Sequence, residues 1–130
     1  MIVVDSSVWI DYFTGKMTPA AEKLDSLLGN EPLAAGDLML TEVLQGFRTE
    51  KDYAQAKKLL LSLTILNMLG TAIALKSADN FRILGKKGIT VRKTIDTIIA
   101  TYCIEHRLPL LYSDKDFHPF HTHLKMRKVV

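Results

Sequence analysis

Two apolar runs in this sequence end in an acid. Ile2-Val3-Val4 stops abruptly at Asp5, with Ser6 and Ser7 next, and the run from Leu108 to Tyr112 stops at Ser113-Asp114. Short continuous apolar runs fit strands buried on both faces of a parallel sheet, and open α/β sheets place their ligands at the carboxyl ends of such strands. As parallel neighbours, the two strands would set Asp5 and Asp114 at one edge. Two further acids stand among apolar residues at helix positions. Glu42 is flanked by Leu40, Val43 and Leu44, and Asp96 lies between Ile95 and Ile98-Ile99, in what should be the first turn of its helix. Each placement also has a purely structural explanation. Asp is a common helix N-cap, which would serve for Asp5, and the helix dipole favours an anion at the position of Asp96. Together, however, four carboxylates repel and raise one another's pKa values, so a stable cluster needs cations. Oxygen-only donors select hard ions, Mg²⁺ or Mn²⁺, over zinc. Such ions lower the pKa of a bound water, orient a phosphate and stabilise a leaving oxygen, so the chemistry implied is phosphodiester hydrolysis.

The elements that must position these acids can be read in chain order. Val8, Trp9, Tyr12 and Phe13 have helical spacing with Gly15 as a stop, and Ser6 or Ser7 is typed to cap that helix. Pro19 opens a second helix after the cap Thr18, ending at Gly29-Asn30, and Pro32-Leu33-Ala34-Ala35 is a short strand. Helices follow from Leu38 to Phe47, interrupted near its end by Gly46, and from Glu50 to Leu63. Thr64 to Asn67 reads as a strand, and Thr71 to Leu84 as a long helix stopped by Gly85, before a loop at Lys86-Lys87-Gly88. A helix over Thr94 to His106 precedes the strand Leu108 to Tyr112; Phe117 to His123 reads as irregular, and Met126 to Val130 as a last edge strand. Helices that alternate with and outnumber strands predict a three-layer α/β fold around a small parallel sheet.

Composition bounds the function classes. A chain of 130 residues with 48% hydrophobic content is long enough for a real core and excludes a disordered chain. The single cysteine, Cys103, cannot form an internal disulfide, and with no signal-peptide pattern a reducing cytoplasm is expected. The longest apolar-rich stretch, Leu59 to Leu69, is broken by Ser62, Thr64 and Asn67 and is too short to span a bilayer. Net charge is +3, but setting the four acids aside leaves 17 basic against 10 acidic residues, +7. A basic surface around an acidic pocket suits a polyanion held over metal ions, although an ordinary soluble protein of slightly high pI has the same balance.

Four stretches carry a family resemblance: Val4-Asp5-Ser6-Ser7-Val8-Trp9-Ile10-Asp11, Thr41-Glu42-Val43-Leu44-Gln45-Gly46, Thr94-Ile95-Asp96-Thr97-Ile98-Ile99-Ala100 and Leu110-Leu111-Tyr112-Ser113-Asp114-Lys115-Asp116-Phe117. They run from end to end in family order, and the sequence resembles the PIN-domain ribonucleases, within them the VapC-type toxins of toxin–antitoxin pairs. The resemblance implies one PIN domain over residues 1–130, a PIN-like three-layer α/β/α sandwich with a small, mainly parallel central sheet. It also implies a Mg²⁺-dependent endoribonuclease, Mn²⁺ substituting, with Asp5, Glu42, Asp96 and Asp114 as the catalytic quartet. Metal is assigned to Asp5, Asp96 and Asp114. Glu42 binds through water or positions the attacking water; Ser6 and Asp116 are accessory. The implied partners are a VapB-type antitoxin, an RNA substrate (transfer and ribosomal RNA are both compatible) and a second copy in a homodimer. Two other classes also use acids at strand ends or this fold. A catalytically silent PIN-fold binding module would show no saturable metal binding, and a phosphoacceptor receiver domain would need a late-strand lysine.

Other residues tempt a functional reading. His118, His121 and His123 match no defined zinc spacing and read as a solvated turn. Asp116 serves equally as a ligand or as a turn residue before Phe117. Trp9 reads as core or antitoxin-binding surface before RNA-stacking, and Asp11 as an exposed helix residue. Lys86, Lys87, Arg92 and Lys93, with Arg48, offer a basic surface to RNA, against a default of solvated loops.

Overall fold

The computed structural model describes residues 1–129. Four strands, β1 (Ile2–Val4), β2 (Leu33–Gly36), β3 (Thr64–Leu66) and β4 (Leu110–Leu111), form one sheet in the order β3-β2-β1-β4, with every pair parallel. Seven helices are described: α1 (Ser6–Thr14), α2 (Pro19–Leu27), α3 (Asp37–Leu44), α4 (Glu50–Leu61), α5 (Thr71–Lys86), α6 (Thr94–Glu105) and α7 (His118–Leu124). A 3-10 turn, Lys115–Phe117, precedes α7.

Alternation along the strands builds the three layers, because successive strand side chains point to opposite faces. Val3, Ala34 and Leu110 are paired neighbours in the register and join a core with Leu84, Ile99, Phe117 and Phe120, under α5, α6 and α7. Val4, Leu33 and Leu111 face the other way, into a core with Val8, Trp9, Leu24 and Leu60, under α1, α2 and α4. Both β1 and β4 are therefore buried on both faces, as their unbroken apolar runs require.

Local chemistry fixes the helix starts. Thr18 accepts the Ala21 N–H at 3.2 Å with Pro19 behind it, and Thr49 accepts the Asp52 N–H at 3.1 Å. Asp37 Oδ1 accepts both the Leu38 and the Met68 N–H, at 2.9 and 3.1 Å, which ties the start of α3 to the chain leaving β3. A Cβ at Gly36 would lie 2.3 Å from the Met68 sulfur and 2.7 Å from that of Met39, so both buried side chains would have to shift to admit one.

Several boundaries differ from the sequence expectation. Helix α3 ends at Leu44, before Gly46, and α4 ends at Leu61. Helix α5 runs through Gly85 to Lys86, because that glycine does not take a positive φ; the stop is Gly88 at φ +81°, where Ile89 N–H donates back to the Leu84 carbonyl. The segment expected to be irregular, Phe117 to His123, is a 3-10 turn followed by α7, with Pro119 in the first turn, where its missing N–H costs nothing. The last edge strand reduces to a single parallel bridge, Leu110 to Lys128; its final residue, Val130, lies outside the described residues. Among the described residues, no helix is long and apolar enough to cross a membrane.

Candidate active site

Asp5 leaves β1 at the sheet's carboxyl edge, its N–H donating to the Leu111 carbonyl at 2.9 Å. It caps α1 itself: Oδ2 accepts the Ser7 N–H at 3.2 Å and the Ser7 hydroxyl at 2.7 Å. Of the three candidate caps, Asp5, Ser6 and Ser7, the structure uses Asp5, because the acid ending the strand already has the extended cap conformation. This frees both serines. Ser6 Oγ donates to Glu42 Oε1 at 2.8 Å, joining α1 to α3 at the site, and Ser7 Oγ also stands 3.4 Å from Ser113 Oγ in the loop after β4. Sequence reasoning missed Ser7 as a site residue. The only available signal was the doubled hydroxyl after Asp5, and its direction depends on which residue caps.

Asp96 lies in the first turn of α6 and is only 5% exposed, with its Oδ2 buried and without a hydrogen-bond partner. Burial pushes its carboxyl up to about 7; the charges of Asp5, Asp114 and Glu42 push the same way, and the Lys93 ammonium opposes them. Asp5 is also raised, first by burial, against the hydrogen bonds from Ser7 and Ser6 and with Glu42 adding repulsion. Asp114 caps the 3-10 turn, its Oδ1 accepting the Asp116 N–H at 2.9 Å. That turn brings Asp116 inward, so that Asp96, Asp114 and Asp116 each offer an oxygen within 4.8 Å of the others. Asp5 is not in that trio, although its charge is the leading one acting on Asp96.

Asp96, Asp114 and Asp116 are thus the acids brought together, with Asp5 and Glu42 near enough for their charges to act on Asp96, and Glu42 tied to Ser6. An unpartnered, nearly buried carboxylate oxygen among like charges is a destabilising arrangement alone. The donor set is all oxygen, so the pocket fits a hard divalent cation, with no soft ligand to recruit zinc.

The remaining candidates separate cleanly. Trp9 is fully buried and stacks on Phe13 at 5.7 Å, which makes it core. The three histidines lie on α7 rather than in a turn: His118 Nδ1 meets Tyr112 Oη at 2.9 Å and His121 Nδ1 meets the Met126 carbonyl at 2.6 Å, while His118 and His123 are exposed as expected. Asp11 is half-buried rather than exposed; Arg48, Lys86 and Lys87 are exposed. Arg92 has a specific partner, its Nε and Nη2 each lying 3.4 Å from Asp116.

Known proteins are similar to this chain in sequence and in fold. A VapC ribonuclease of Mycobacterium bovis and Ribonuclease VapC11 of Mycobacterium tuberculosis are each 29% identical over 119 residues, covering 90% of this chain and 89% of the relative. The fold matches VapBC2 from Rickettsia felis, solved bound to a promoter DNA fragment, with a TM-score of 0.74 at 18% identity over 99% of this chain and 98% of that one. It also matches a toxin–antitoxin complex from Klebsiella pneumoniae, with a TM-score of 0.68 at 24% identity over 90% of each chain. The PIN domain family model matches residues 2–120. That match runs from β1 into α7 and takes in every acid of the pocket, and the chain belongs to the PIN-domain family.

Proposed function

We propose that this chain is a metal-dependent endoribonuclease, the toxin of a toxin–antitoxin pair, hydrolysing phosphodiester bonds in RNA. The observation that carries the reading is the buried, unpartnered Asp96 Oδ2 beside Asp5, Asp114 and Glu42, a concentration of negative charge that an oxygen-coordinated cation would neutralise. Asp5, Asp96 and Asp114 would hold Mg²⁺, or Mn²⁺ in its place. Bound there, such an ion would supply a water of lowered pKa and charge stabilisation for a leaving oxygen. The protein's part is positioning. Ser7 fixes one oxygen of Asp5, and Ser6 holds Glu42 so that it orients the attacking water against the phosphate. Relatives named as VapC ribonucleases support RNA as the substrate, and the likeness to VapBC complexes supports a VapB-type antitoxin as partner. A homodimer fits the apolar side chains that α5 leaves exposed, Leu75, Phe81 and Ile83, and the cytoplasm fits the buried free thiol of Cys103. The test is incubation of total cellular RNA with purified, antitoxin-free protein in Mg²⁺ or EDTA, beside Asp96→Asn. Discrete fragments that need the metal and vanish in the variant are expected. Intact RNA in every lane from folded, metal-supplied protein contradicts the reading.

A further inference from the structure

The loop before α6 and the turn after β4 meet at the mouth of the pocket, where they place one cation against one anion. Arg92 is 79% exposed, yet its Nε and Nη2 reach Asp116 Oδ2 and Oδ1, each at 3.4 Å, and Asp116 is 20% exposed. Both carboxylate oxygens of Asp116 thus face the guanidinium, at the long end of hydrogen-bond distance. The other two acids of the trio are not: Asp114 accepts a backbone N–H, and Asp96 keeps a buried oxygen with no partner. An acid whose two oxygens already face a guanidinium is poorly placed to ligate a cation alongside them. It is well placed to hold a long, flexible side chain in one position, which lowers the ordering cost when that side chain meets a ligand. A phosphodiester approaching the acidic pocket meets repulsion, and needs a fixed positive group at the mouth to offset it. The planar guanidinium fork is shaped for phosphate oxygens, and most of this one remains in solvent.

We propose that Arg92 is the residue that receives an RNA phosphate at the mouth of the acid pocket, and that Asp116 is its anchor rather than a metal ligand. This rests on the nuclease reading above. The loop's other basic residues, Lys86, Lys87 and Lys93, are exposed and form no ion pair among the described residues; Arg92 is the one held in place.

The experiment measures binding of a fluorescently labelled single-stranded RNA by anisotropy across a salt series, in EDTA to hold hydrolysis off. Wild type is compared with Arg92→Ala, Arg92→Lys and Asp116→Asn, and Mn²⁺ affinity is measured separately by calorimetry. Arg92→Ala should weaken RNA binding and lower the slope of log affinity against log salt by about 0.7, the loss of one single-strand phosphate contact. Arg92→Lys should keep that slope. Asp116→Asn removes a negative charge, which on charge alone should tighten RNA binding; as the loss of an anchor it should weaken it instead, with no further loss when combined with Arg92→Ala. Mn²⁺ affinity should stay near wild type in all three. A wild-type salt slope in Arg92→Ala overturns the phosphate role. Tighter RNA binding, or a tenfold loss of Mn²⁺ affinity, in Asp116→Asn overturns the anchor role. Either result leaves metal-dependent cleavage by wild type standing, which is read separately with the same RNA in Mg²⁺; absence of cleavage there removes the nuclease reading and this inference together.

Discussion

Neutralising Asp96 should stabilise the metal-free protein while removing its metal response. The Asp96 carboxyl is raised from 3.8 to about 7, chiefly by burial and then by Asp5. A shift of about 3 units corresponds to roughly 4 kcal/mol of penalty on the charged form, taken as a ceiling. Water entering the acid pocket screens part of it, and about 1–2 kcal/mol is the expected remainder. The sign follows from linkage. The folded value lies above the unfolded one, so the unfolded chain releases this proton first, and stability falls as pH rises through the interval from 3.8 to about 7. The penalty is absent below that interval and complete above it. In EDTA near pH 8, Asp96→Asn should therefore melt roughly 4–8 °C above wild type, with the gain shrinking toward pH 4. Mg²⁺ should raise the wild-type melting temperature and leave the variant's unchanged. Thermal denaturation followed by circular dichroism reads all of this. An Asp96→Asn protein less stable than wild type at pH 8 in EDTA would refute the reasoning, since the buried carboxylate would then be held by a favourable partner rather than strained by its neighbours.

Three further outcomes are expected. Gly36→Ala places a Cβ against the sulfurs of Met68 and Met39, both essentially buried, and should cost about 1–2 kcal/mol by overpacking; an unchanged melting temperature would mean the two methionines move aside freely. Cys103, 1% exposed and with its thiol pushed up to about 12 by burial, should react with a disulfide reagent only at the rate of unfolding, and rapid labelling of the native protein would contradict its placement. Ser6→Ala removes the bond to Glu42 and should lower RNA cleavage about 10–100-fold while Mn²⁺ affinity stays near wild type; Ser6→Thr should retain activity, and a wild-type rate in the alanine variant would deny Glu42 its positioned role.

The central strands were legible because a strand buried on both faces leaves an unbroken apolar run, and the acids that end those runs were legible for the same reason. Asp96 could be placed because α6 begins where its apolar periodicity begins. What escaped depends on backbone geometry rather than residue type. Asp5, Ser6 and Ser7 are all good caps, and only the extended conformation of Asp5 sends Ser6 to Glu42 and Ser7 to Asp5. Gly85 and Gly88 look alike as helix stops, but only the second adopts a left-handed φ. Pro119 among histidines reads as a break, yet a proline in a first turn starts a helix as readily as it ends one. The pairing of Arg92 with Asp116 spans two loops and has no periodic signature.

The most direct measurement is calorimetric titration of Mn²⁺ into metal-stripped protein, wild type and Asp96→Asn, in buffers of different ionisation heat. If the buried acids form a hard-cation site, wild type binds saturably and releases protons on binding, more near pH 6 than near pH 8, as the Asp96 carboxyl at about 7 gives up its proton. Asp96→Asn binds weakly and releases none from this group. Absence of saturable binding by folded wild-type protein, or equal binding by the variant, would contradict the account at its centre.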